Sequence, residues 1–147
     1  MFNRACLGLV SEDRIVDVEL GQIKLFSKAI GETNPIYFDE SAAKKAGLRG
    51  VKAPLTFGFC LKSLAPAKYP SNEDLGIDFS RLLHAEEKFD YFLPIYSGDR
   101  LTFSTEVEDM YEKKGGALDF LIRTTKVFNE AGELVQTQTN TLVMRNG

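Results

Sequence analysis

Histidine occurs once in this 147-residue chain and cysteine twice. A single imidazole argues against a histidine-built metal site. Cys6 and Cys60 form neither a disulfide framework nor a metal-ligand spacing. No metal or redox cofactor is therefore expected. Lysine and arginine are not clustered and the net charge is only −3, so a nucleic-acid partner is not expected either. Apolar runs are too short to span a bilayer. At the N-terminus Glu12-Asp13 follow Arg4 before any apolar stretch reaches signal-peptide length. These absences predict a cytoplasmic protein without a membrane partner. Repeats, low-complexity tracts and long linkers are missing too, which predicts one domain over residues 1–147. Composition is that of an ordinary globular chain, 44% hydrophobic and 27% charged, and the length allows a substantial core.

The first half reads as helix-rich. Arg14 to Glu19 alternates polar and apolar residues, the mark of a short strand. Ile23, Phe26 and Ile30 fall at helical spacing, with Gly31 as the stop. Asp39 is placed to cap a helix running to about Ala46, with Glu40 in its first turn and Lys44 and Lys45 in its last, as the helix dipole prefers. Residues 53–65 are apolar around nearly the whole circumference, Lys62 being the only charge. This predicts a buried central helix with Pro54 at its first position and Pro66 beyond its end.

The second half reads as strands. Phe89, Tyr91 and Leu93 share one parity within a strand from Leu83 to Ile95, and the segment from Pro94 to Asp99 is a turn. Leu101, Phe103, Thr105 and Val107 alternate with polar residues. Lys113-Lys114-Gly115-Gly116 signals a hairpin. Strands over 117–128 and 134–144 complete an antiparallel meander. A buried helix followed by a curved antiparallel sheet is an α+β, hot-dog arrangement.

Several motifs together resemble one family. Gly31-Glu32-Thr33-Asn34-Pro35-Ile36-Tyr37, led by Phe26 to Ile30, is similar to the glycine-aspartate-x-asparagine-proline-x-histidine loop of MaoC-like (R)-specific enoyl-thioester hydratases and dehydratases. Ala53-Pro54-Leu55-Thr56-Phe57 resembles the entry to the central helix. His84-Ala85-Glu86 resembles a histidine-glycine-glutamate strand, and Pro94 to Leu101 a proline-leucine-x-x-glycine-aspartate-x-leucine turn. Four motifs in order are more specific than any one of them.

The resemblance implies a hot-dog domain that pairs with a second one, as a homodimer or as a heterodimer with a catalytic subunit. The pair would hold an acyl thioester of CoA or of acyl carrier protein. It places the catalytic carboxylate on Glu32 and the catalytic imidazole on Tyr37. Asn34 would shape the loop, and an amide near Leu55 or Thr56 would bind the thioester oxygen. Glu32 is one methylene longer than the family's aspartate and must fold back to serve as a base. A phenol cannot take and return a proton near neutral pH as an imidazole does.

Within the family, one branch pairs a catalytic hot dog with a half that lacks the acid–base pair. The asparagine-proline-x-tyrosine loop and the alanine-proline helix entry of this chain resemble that half. The expected function is thus an acyl-thioester-binding subunit that works with a catalytic partner. The alternative is a self-sufficient homodimeric hydratase or dehydratase using Glu32. A hot-dog thioesterase would need a carboxylate on the central helix, and residues 55–65 contain none. A non-enzymatic acyl-CoA-binding module is the fourth reading. Bland roles stand beside these. Glu32 can be a solvated loop carboxylate and Tyr37 a core-edge aromatic. His84 can be a structural strand residue and Cys60 an inert helix thiol. Phe57, Phe59, Tyr91 and Phe92 can be packing residues rather than tunnel wall.

Overall fold

The strand alternation builds a five-stranded antiparallel sheet in a computed structural model that describes residues 1–146. Gly147, the last residue of the expected domain, lies outside the described residues. The strands are β1 (Arg14–Asp17), β2 (Leu82–Tyr91), β3 (Arg100–Lys113), β4 (Leu118–Phe128) and β5 (Leu134–Arg145), in the order β1-β3-β4-β5-β2. The meander of β3, β4 and β5 forms as expected. β2 lies at the edge beside β5, and β1 at the opposite edge beside β3. Lys114, Gly115 and Gly116 turn the β3–β4 hairpin with φ of 54°, 63° and 89°, a left-handed path that glycine adopts without steric cost.

Three helices lie among the strands. α1 (Leu20–Ala29) buries Ile23 completely and sets Phe26 against Phe57, ring centroids 5.2 Å apart. Ile30, expected on the same face, follows the last helical turn and is exposed. α2 (Glu40–Lys45) is capped as predicted, the Ala42 amide donating to Asp39 Oδ1 at 2.6 Å. α3 (Phe57–Leu64) is the central helix.

α3 departs from expectation in length and burial. It starts at Phe57 because Ala53 is committed elsewhere: its amide donates to the Ile95 carbonyl at 2.8 Å. Pro54 to Thr56 then form a turn closed by the Phe57 amide on the Pro54 carbonyl. Pro54 therefore precedes the helix instead of occupying its first position. Only Phe57, Gly58 and Leu61 are buried, and Leu64 is 54% exposed. The sheet covers one side of α3 and leaves the other uncovered, so an apolar circumference does not become a buried one.

The strand predicted to run to Ile95 ends at Tyr91. The Phe92 and Leu93 amides both donate to the single carbonyl of Val135, which breaks the ladder, and Ile95 turns to Ala53. The strand predicted over 14–19 ends at Asp17, and Val18 bonds the turn at Gly98 and Asp99.

Two apolar clusters fill the concave side. One gathers Val18, Ile23, Phe57, Leu61, Leu101 and Phe103. The other gathers Phe2, Leu75, Val107, Leu121, Leu142 and Met144. Burial of such side chains stabilises by roughly 1.5–3 kcal/mol each, so these clusters hold the sheet's curvature against the helices. Among the described residues no helix is long and apolar enough to cross a membrane.

Candidate active-site loop and helix entry

Gly31 leaves α1 at a φ of 77°, and the Glu32 amide returns to the Ser27 carbonyl at 2.9 Å. This closes the helix and points the chain into the loop. The Glu32 side chain then folds onto its own backbone. Its Oε1 accepts the amides of Thr33 and Asn34, both at 2.9 Å. Asn34 repeats the device, its Oδ1 accepting the Ile36 amide at 3.1 Å and capping the short 3-10 turn Pro35–Tyr37. These two local caps explain why a carboxylate and an amide follow Gly31. Tyr37 is half-buried, and its hydroxyl makes no hydrogen bond among the described residues.

The loop adjoins the segment leading to α3. The Lys52 amide donates to the Ile36 carbonyl at 3.3 Å, and Lys52 also bridges to Tyr96. From there the chain passes Ala53 and Pro54 into the exposed residues Leu55 and Thr56. Neither amide of this pair donates to a backbone carbonyl among the described residues. They lie at the positive end of α3, where donors suit a developing negative charge. A cleft of about 240 Å³ opens here, walled by Leu55, Tyr91, Phe92, Leu93 and the buried amide of Gln136. Of the expected site residues only Leu55 lines it; Glu32, Asn34, Tyr37 and Thr56 do not.

The turn at 94–99 buttresses this end. Asp99 accepts the Tyr96 amide at 2.9 Å and the Arg49 guanidinium at 2.5 Å, and Arg49 lies 4.2 Å over the Tyr96 ring. His84 lies on β2, stacked on Phe59, with Nε2 2.7 Å from Asn140 Nδ2 and 3.2 Å from Glu87 Oε2. It is thus part of a side-chain network that ties β2 to β5 and α3. Cys60 lies half-buried on α3, where burial pushes its thiol above the ordinary range. No group of three metal-ligating side chains occurs among the described residues.

The sequence reading does not bring Arg14, Lys62 and Arg123 together. The structure places all three around one cavity beneath the far end of α3. A signal was present in the strand parity. Arg14 shares the inward parity of Val16 on β1, and Arg123 shares that of Leu121 and Val127 on β4. Gln136, Gln138 and Asn140 do the same on β5, and all three are buried.

Known proteins agree with this geometry. Residues 5–138 match the family described as FAS1-like, dehydratase domain region. A UPF0336 protein of Streptomyces avermitilis is 38% identical over 129 residues, covering 86% of this chain and 85% of that one. A solved MaoC-like dehydratase superposes with a TM-score of 0.83 at 27% identity, over 97% of this chain and 43% of its own. The HadBC (3R-hydroxyacyl-ACP dehydratase) complex of Mycobacterium tuberculosis has a chain that superposes at 0.81 with 23% identity, over 94% and 96% respectively. The sheet wrapped on α3, the loop after α1 and these similarities lead to one conclusion: the chain belongs to the FAS1-like dehydratase-region family and has the hot-dog fold of MaoC-like dehydratases.

Proposed function

We propose that this chain is one hot-dog domain and serves as the acyl-thioester-binding subunit of an (R)-specific enoyl-thioester hydratase or 3-hydroxyacyl dehydratase, working with a catalytic hot-dog partner. The observation that carries this reading is the commitment of Glu32. Its Oε1 already accepts two amides of its own loop, and the neighbouring place for an imidazole holds Tyr37. A general base must reach the water it activates at about 3 Å, and a carboxylate turned back on its own backbone serves the loop first. The only imidazole, His84, belongs to the β2–β5 network.

What remains intact is binding. The cleft at the α3 entry offers apolar walls, and the Leu55 amide beside it, followed by that of Thr56 at the start of α3, suits a thioester oxygen. Tyr91, Phe92, Leu93 and Leu55 are all at least 37% exposed around that cleft, beside the free edge of β2. An apolar rim at an open sheet edge calls for a second domain. The HadBC neighbour is itself a complex, which supports the same arrangement.

The test is co-purification with a hot-dog subunit bearing the aspartate/histidine loop, encoded in an adjacent reading frame. Crotonyl-CoA and a longer enoyl-CoA are then assayed by loss of enoyl absorbance. Activity in the mixture and none in this chain alone supports the proposal. Activity unchanged by omitting this chain refutes it.

A further inference from the structure

A polar belt separates the two apolar clusters on the sheet's concave side. On β3, Phe103 belongs to one cluster and Val107 to the other, with Thr105 between them. On β4, Val127 and Leu121 play the same parts, with Thr125 and Arg123 between. Register aligns the interruptions: Thr105 faces Thr125, Thr125 faces Gln138, and Arg123 faces Asn140. Arg14 reaches in from β1, its Nη2 donating to Thr105 Oγ1 at 2.6 Å and its Nη1 to the Ala65 carbonyl at 2.9 Å. Thr105 and Thr125 hydroxyls lie 2.8 Å apart.

This belt walls a cavity of about 210 Å³ that also receives Lys62 from α3. Three cations line it and no lining residue is acidic. Glu87, behind the wall, accepts Lys62 Nζ and Asn140 Nδ2 at 3.2 and 2.8 Å. Glu12 is spent on the Lys68 amide. Positive charge therefore exceeds the negative charge that meets it. Arg14 is only 8% exposed, yet its Nε has no partner, and Arg123 donates only to Asn140 Oδ1, at 3.3 Å. Buried cations without full pairing are costly, and desolvation holds all three below their ordinary pKa values. An entering anion offsets that cost. The planar guanidinium fork suits two-oxygen acids in particular.

We propose that the cavity lined by Arg14, Lys62 and Arg123 is a carboxylate-binding site. The carboxylate either comes free from solution or sits at the far end of a bound acyl chain. For the second source a row of β5 side chains joins the cleft to the cavity; Gly58 of α3 packs closely over this row, so an acyl chain passes along it only when α3 lifts from β5. Gln136 lines the entry cleft, Asn140 lines the cavity, and Gln138 lies between them on β5 with both amide atoms unpaired. α3, about 12 Å long at 1.5 Å per residue, spans the same interval. The site itself is independent of the thioester reading; only the acyl-chain source rests on it.

The test uses the full chain. Acetate is titrated against chloride at constant ionic strength, following thermal unfolding and isothermal heats. Wild type is expected to respond saturably. Arg123→Gln and Lys62→Met, two separate variants in case one folds poorly, are expected to weaken the response at least tenfold, while Arg100→Gln, at the exposed start of β3 and outside the cavity lining, leaves it intact. Suberyl-CoA and octanoyl-CoA are then compared. A preference for suberyl-CoA that disappears in Arg123→Gln supports the site with the acyl chain as source. Lost acetate binding without such a preference supports it with a free carboxylate as source. No saturable acetate response in wild type, or one that survives both cavity variants, overturns the site.

Discussion

The Glu32 carboxylate accepts the Asn34 amide at 2.9 Å, two residues along its own loop. That one relationship links the local structure to the proposed division of labour. A side chain that caps a turn holds the loop's shape, and releasing it for chemistry would give up the cap and leave the Thr33 and Asn34 amides to water.

The cap has a measurable stability value. Glu32→Ala removes an acceptor shared by two partly solvated amides, which costs about 1 kcal/mol. Urea unfolding is expected to show a lower midpoint with unchanged slope. The same variant is expected to change the activity of the complex with the catalytic partner by less than twofold.

Gly58 sits where α3 approaches β5 most closely. A Cβ there would overlap the buried amide of Gln136 and approach Gln138 Nε2 at 2.8 Å. Both side chains are almost fully buried and have little space to move. Gly58→Ala gains helix propensity of about 1 kcal/mol, but overpacking costs roughly 1–3 kcal/mol. A net loss of about 1 kcal/mol in thermal or chemical unfolding is expected, with weaker acyl-CoA binding because Gln136 walls the cleft.

Lys62 makes a pH prediction. Burial holds its ammonium below the ordinary lysine value, with Glu87 opposing the shift. Below the folded pKa both states are protonated and the burial cost is felt in full. As pH rises through the folded pKa the native state loses its proton first, so stability is gained until the unfolded value of about 10.4 is reached. The melting temperature of wild type relative to Lys62→Met is therefore expected to rise as pH is raised through the alkaline range toward that value.

The two thiols should react in order. Cys6 is 2% exposed and Cys60 is half-buried, and burial raises both pKa values, Asp74 adding to the effect at Cys6. Ellman's reagent at neutral pH is expected to modify both more slowly than a free thiol, Cys60 before Cys6.

Much of the fold was legible because strand parity and helix caps are local signals. Thr105 and Val107 could be assigned to one face without knowing the neighbours, and Asp39 identified its helix by position alone. The length of α3 was not legible, since it is set by Ala53 bonding Ile95, a contact between segments far apart in sequence. Leu64 misled for a related reason: apolar character does not say whether the cover comes from the same chain. At the site, the motif located Glu32, Asn34 and Tyr37, but the fold-back of the Glu32 carboxylate depends on loop geometry. The basic cavity escaped notice because Arg14, Lys62 and Arg123 lie far apart in the chain. Each looks ordinary until β1, α3 and β4 converge.

The exposed rim beside β2 predicts assembly. Light scattering is expected to give at least twice the 16.4 kDa chain mass, alone or with the partner. Phe92→Glu, at a position 56% exposed in this chain, is expected to return the protein toward the monomer without unfolding it.

The most direct measurement is hydration of crotonyl-CoA by the purified chain alone, followed at the enoyl absorbance band. A flat trace, unchanged in Glu32→Gln, is the predicted result. Steady turnover that disappears in Glu32→Gln would contradict it, because the carboxylate would then be acting on substrate rather than holding its loop.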